Sequence, residues 1–103
     1  MAVRVTIERE VIPGFQEAVV DLLRELRSRA VVRPGYVSGQ TVVDAFSPTK
    51  FLMISTWSSL DGWKEWEESS ERLSMIEEIS PYMQRPTKTR LWLDNIDAPP
   101  AAM

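Results

Sequence analysis

The chain has 103 residues, 44% apolar and 26% charged, with a net charge of −3 and neither cysteine nor histidine. That composition excludes disulfides, thiolate nucleophiles, and Cys or His ligation of zinc, haem iron or an iron–sulfur cluster. The near-neutral imidazole base is missing too, and the acidic balance argues against nucleic acid or an anionic membrane as a partner.

Residues 3–9, VRVTIER, set Val3, Val5 and Ile7 against Arg4, Thr6 and Glu8, the period of two of a half-buried strand. Pro13-Gly14 ends it. From Phe15 the apolar residues Ala18, Val19, Leu22, Leu23, Leu26 and Ala30 fall on one stripe at helical spacing. Glu17 near its start and Arg27 and Arg29 near its end suit the helix dipole. Pro34-Gly35 closes this region.

Two strands follow. Tyr36 to Val43 alternates, with Gly39 as the expected bend or bulge. After the turn at Ser47-Pro48-Thr49, Lys50 to Trp57 reads as a more buried strand, with Phe51, Met53, Ser55 and Trp57 on one face. Ser58 or Ser59 is a plausible N-cap, and Ser58-x-x-Asp61 resembles a capping box. The helical stretch beyond carries Leu60, Trp63 and Trp66, is broken or re-capped near Ser69-Ser70, and continues through Leu73, Ile76 and Ile79 to Pro81. Six Glu against two basic residues between Lys64 and Glu78 predict a solvated helix face. A last strand runs from Thr87 to Leu93, with Arg90 and Trp92 on the face opposite Leu91. Residues 1–94 form the expected domain, and 95–103 a loose tail.

The order β-α-β-β-α-β predicts a ferredoxin-like α+β fold, a four-stranded antiparallel sheet with helices on one face. A chain this short buries only about two-thirds of its unfolded surface. With one sheet face uncovered, a homodimer packed sheet against sheet is expected. No run of about 20 apolar residues is present, and Arg4, Glu8, Arg9 and Glu10 interrupt any leader, so a cytoplasmic protein is expected. Four Trp is a high count for this length. Each covers about 150–250 Å² and needs a core, a pocket or an interface.

Pro34-Gly35-Tyr36, Ser38-Gly39-Gln40, a strand ending in Trp57-Ser58, and a helix bearing Trp63 and Trp66 together resemble the antibiotic biosynthesis monooxygenase family, of dimeric α+β barrel fold. The resemblance covers residues 3–93. It implies either a cofactor-independent oxygenase acting on a small phenol or hydroquinone with O₂, or a non-catalytic binder or stress-related dimer. A third branch degrades haem. Trp66 matches its helix Trp, but Glu71 to Ile79 lacks its His ligand and the first strand lacks its Asn.

The oxygenase branch implies no metal and no organic cofactor. It implies an apolar cavity, groups that favour a phenolate, and exclusion of water. Trp63 and Trp66 are the expected walls, with Met75 as an adaptable apolar neighbour. Arg72 or Arg90 is expected to stabilise an oxyanion, and Tyr36, Gln40 or Ser55 to orient it. Each has a structural rival. Arg72 is placed to pair with Glu68 at i,i+4. Arg90 and Trp92 suit a subunit interface, Trp57 packing under the helix, and Tyr36 a plug after the Pro-Gly turn.

Overall fold

The computed structural model describes residues 2–94; the expected tail at 95–103 lies outside them. Eight segments follow in order: β1 (Val3–Glu10), α1 (Gln16–Ala30), β2 (Tyr36–Asp44), β3 (Ser47–Trp57), α2 (Leu60–Glu67), α3 (Ser70–Ile79), a 3-10 turn (Ser80–Tyr82) and β4 (Lys88–Leu93). The strands form one antiparallel sheet in the order β2-β3-β1-β4. This is the ferredoxin-like α+β arrangement that the element order predicts. The Cα extents of 44 × 33 × 19 Å are those of two layers, one sheet and one sheath of helices.

The central strand β1 sets the core. Val3, Val5 and Ile7 are at most 1% exposed, and they face the helices with Phe51 and Trp57 of the paired β3. From α1, Val19, Leu23, Leu26 and Ala30 close on this surface, as its stripe predicts. Phe15 departs from the stripe. It precedes the helix and is exposed, with its ring 5.3 Å from that of Tyr82.

The bulge in β2 is displaced from the expected Gly39. The register with β3 slips between Tyr36 and Ser38, so Val37 is the extra residue, and it slips again between Val43 and Asp44. This slip has a positional consequence. Tyr36 pairs with Trp57 and Gly39 with Ser55, so both lie on the helix side despite their odd separation.

The second helical stretch is two helices. Ser59 caps α2 by accepting from Gly62 N at 3.1 Å, so Ser59 rather than Ser58 sets its start. Ser69 caps α3, accepting from Arg72 N at 3.2 Å while its hydroxyl donates to Trp66 O at 2.7 Å. The re-capping rotates the apolar face. Met75 and Ile79 are buried and Ile76 is half-buried, whereas Leu73 stands 51% exposed. Gly35, at φ +90°, turns the chain between α1 and β2. A Cβ there would meet Ser58 Oγ at 3.2 Å and Gly62 Cα at 3.5 Å, so this turn packs backbone against the start of α2.

Met75→Ala is expected to cost about 2–5 kcal/mol of stability through the cavity it leaves. Leu73→Ala, on the same helix, is expected to cost less than about 1 kcal/mol. Urea unfolding followed by far-UV circular dichroism measures both.

Candidate functional site

A cavity of about 50 Å³ lies between the helix side of the sheet and the helices. Trp57, Trp63 and Trp66 border it with Tyr36, Met53 and Ser55, and arginines come from three elements: Arg9, Arg27 and Arg72. Among the described residues no carboxylate borders it.

The aromatic side is an edge-to-face chain. Tyr36 meets Trp57 at 5.3 Å between ring centroids and 88°, and Trp57 meets Trp63 at 5.8 Å and 66°. Trp57 Nε1 donates to Ser55 Oγ at 3.1 Å, which leaves the Ser55 hydroxyl hydrogen free to point elsewhere. The Tyr36 hydroxyl lies over Gly39, in the space a Cβ would take. It is buried and has no partner among the described residues, and the same holds for Trp63 Nε1.

The cationic side is built from stacking and burial. Arg72 lies over the Trp63 ring at 5.3 Å and Arg33 over Trp66 at 5.2 Å. Arg9 is 3% exposed, and its Nε is buried with no partner among the described residues. Burial and the neighbouring Arg72 lower its pKa to about 10, which still leaves it charged at neutral pH. Burial lowers the Arg72 pKa as well, opposed by Glu67, which favours its charge.

Of the residues singled out from sequence, Tyr36, Ser55, Trp63, Trp66 and Arg72 share this cavity. Gln40 borders it too, but its register partner Ile54 places its side chain on the opposite sheet face. Met75, 2% exposed, belongs to the core and is absent from the cavity wall. Arg90 is on the other side of the sheet, 4.7 Å over the ring of Trp92, whose Nε1 donates to Thr6 Oγ1 at 3.0 Å. The sequence-based pair of Arg72 with Glu68 is not formed among the described residues; Trp63 takes its place.

Two residues of the cavity wall had another reading in sequence. Trp57 read as packing, and it packs and borders the cavity together. Arg9 read only as a charge that interrupts a leader, yet it continues the odd-numbered series Val3, Val5, Ile7. An arginine on the buried face of a central strand is the signal that was available. Among the described residues, no group of three or more acidic residues is placed to hold a metal ion. The donors that line the cavity suit an anionic or acceptor-rich organic ligand.

Comparison with known proteins places this geometry. The chain is 30% identical over 82 residues to protein SchA of Streptomyces halstedii, covering 80% of this chain and 22% of that protein. It thus spans about a fifth of the length of the curated relatives it matches. A solved antibiotic biosynthesis monooxygenase homologue from Nitrosomonas europaea superposes with a TM-score of 0.86 at 16% identity, covering 93% of this chain and 92% of that one. SnoaB, a cofactor-independent oxygenase from Streptomyces nogalater, superposes with a TM-score of 0.80 at 11% identity, over 96% of this chain and 99% of that one. The family model for antibiotic biosynthesis monooxygenases matches residues 2–78, and the chain belongs to that family.

Proposed function

We propose that the chain is a cofactor-independent monooxygenase that takes a small phenol or hydroquinone and O₂. The observation that carries this reading is the cavity itself, with an aromatic wall of three tryptophans and Tyr36 that brings an unpaired indole N–H and an unpaired phenol hydroxyl, a guanidinium donor from Arg9, and no carboxylate among the described residues. Family membership supports the reaction class, and SnoaB, of the same fold, is described as a cofactor-independent oxygenase.

The residues present would act as follows. Arg72 and Tyr36 hold the substrate oxygen and lower the cost of its deprotonation by favouring the phenolate. Ser55 orients it, and Trp63 and Trp66 hold the ring and exclude water. The phenolate passes one electron to O₂, and the resulting radical pair joins at a ring carbon to give a hydroperoxide. Loss of water then leaves a quinone. One oxygen atom enters the ring, the other leaves as water, and the two hydrogens of that water come from the phenol and the ring carbon.

A homodimer is part of this proposal. On the uncovered sheet face, Leu52 and Ile54 are half-buried in the monomer and Val42 and Trp92 are 41% and 45% exposed, an apolar patch on which a second sheet would close. Arg90 then belongs to the interface, with its guanidinium stacked on Trp92. A cytoplasmic location is part of the same proposal. Among the described residues no helix is long and apolar enough to cross a membrane.

A second reading, a non-catalytic binder, is favoured by one observation: the chain has no histidine, and among the described residues no carboxylate lines the cavity to remove a proton. Aerobic incubation with a panel of anthrols and naphthoquinols separates the two. Quinone formation with O₂ uptake above buffer is expected, and buffer rates with retained aromatic binding favour the binder. Trp66→Ala is expected to lower affinity or turnover by about tenfold, the worth of one lost aromatic wall, and Trp92→Ala to change turnover by less. Equal effects from the two would remove the cavity assignment. Equilibrium sedimentation at micromolar concentration is expected to give about twice 11.8 kDa, and Trp92→Glu to return the monomer mass.

A further inference from the structure

The charges of this protein are distributed against expectation. Four arginines at the surface are paired: Arg4 with Asp94 at 3.3 Å, Arg24 with Asp21 at 3.6 Å, Arg29 with Glu25 at 2.8 Å and Glu71 at 3.5 Å, and Arg85 with Glu10 at 2.7 Å, whereas the exposed Arg27 and Arg90 form no ion pair among the described residues. In those positions water would solvate the charge, so the pairs add little. Arg9 is buried and has no ion pair or side-chain hydrogen bond among the described residues. A buried charge is normally paired, because desolvation costs several kcal/mol. Here the charge that acts on it is a second cation, Arg72, which disfavours its protonated form.

The position of the pair is as specific as its charge. Arg9 and Arg72 border both the aromatic cavity and an open groove of about 610 Å³ between α3 and β4. The groove also has an apolar wall from Ile76, Ile79 and Met83. Glu67 borders it and favours the charge of Arg72, but no carboxylate lies within 4 Å of either guanidinium among the described residues. The two guanidinium groups therefore stand at the junction of an aromatic cavity and a space large enough for a second ring.

We propose that Arg9 and Arg72 form an oxyanion subsite at this junction, and that the ligand is an aromatic carboxylate whose carboxylate group lies between the two guanidiniums. A carboxylate fits better than a phenolate alone. It is already charged at neutral pH, whereas a phenol has a pKa of about 10. It offers two oxygens and about four lone-pair sites to planar donors, where a phenolate offers one oxygen. Two cations also exceed what one phenolate neutralises. The inference rests on the oxygenase reading for the aromatic nature of the ligand, and it adds the acid group and Arg9.

The test uses 1-hydroxy-2-naphthoate and 1-naphthol as probes on the full chain, with binding followed by tryptophan fluorescence. The wild type is expected to bind the hydroxynaphthoate at least about tenfold more tightly, the effect of one charge-assisted contact. Arg9→Gln is expected to weaken the hydroxynaphthoate by about tenfold more than naphthol, so that the preference is lost, and Arg9→Lys to restore part of it. Because Arg9 is buried and unpaired, Arg9→Gln is also expected to raise the Tm of the ligand-free protein. If Arg9→Gln fails to fold, Arg72→Gln is used in its place: it is expected to weaken both probes, and the hydroxynaphthoate by about tenfold more, so that the preference is lost. Equal affinity for the two probes in the wild type, or a preference that survives both substitutions, overturns the subsite. Oxygen uptake with each probe, measured in parallel, tests the oxygenase reading by itself. Carboxylate preference without uptake sinks only that reading, and uptake without preference sinks only the subsite.

Discussion

Trp57 is the residue on which the other parts converge. It ends β3, where the strand pairs with Val3 of β1 on one side and Tyr36 of β2 on the other. At 1% exposure it has no freedom to move aside. Its edge contacts fix the ring of Trp63 above and of Tyr36 beside it, and its indole N–H fixes Ser55. The next residue, Ser58, donates its backbone N–H to Gly35 O at 2.7 Å. The end of β3 at Trp57-Ser58 thus joins the sheet, the turn before β2 and α2 through the Trp57 ring contacts and the Ser58 backbone bond. The aromatic cavity is the space left beneath that junction.

That junction explains why glycine occupies Gly35 and Gly39. At Gly35 the backbone takes a left-handed φ and lies against the start of α2, where a side chain would separate turn from helix. At Gly39 the missing Cβ is filled by the Tyr36 hydroxyl. The bulge at Val37 brings Tyr36 and Gly39 to one face so that this approach is possible. The Pro-Gly-Tyr turn and the Ser-Gly-Gln segment, which carry the family resemblance in sequence, are therefore one structural device for placing a phenol hydroxyl without a partner beside a tryptophan.

The fold was legible because its signals are local and periodic. β1 alternates, α1 repeats every three to four residues, and Pro-Gly pairs punctuate both. The Val37 bulge was not legible, because Gly39 has the composition of a bulge whereas Val37 does not; the slip comes from pairing with β3. The face of α3 was misplaced for a related reason. The break at Ser69-Ser70 is legible, but continuing the apolar face through Leu73 carries the phase of the first helix across it, and the new cap at Ser69 resets that phase toward Met75. Among the site residues, Tyr36, Ser55, Trp63, Trp66 and Arg72 are of types that suggest a pocket. Arg90 and Met75 have equally suitable side chains, and only the strand register and the helix phase separate them from the cavity. Arg9 was hidden by the opposite habit, since a charge in a strand is normally assigned to solvent. Its parity with Val3, Val5 and Ile7 outweighed its residue type.

The lack of histidine and cysteine acquires a more definite meaning in this cavity. Arg9 Nε and Trp63 Nε1 are donors only, and the hydroxyls of Tyr36 and Ser55 can donate as well. Unpaired buried donors are costly until an acceptor arrives, which is the physical basis for proposing a ligand rich in oxygen acceptors. A phenolate, a quinone and a carboxylate all meet that requirement, and a neutral hydrocarbon does not. Selection by unpaired donors also asks less of proton transfer. Where fixed positive charge makes the anion the favoured form, deprotonation is driven by the field rather than by a matched base. A histidine at neutral pH would add a competing titration to that field, and arginine, charged throughout, keeps it constant.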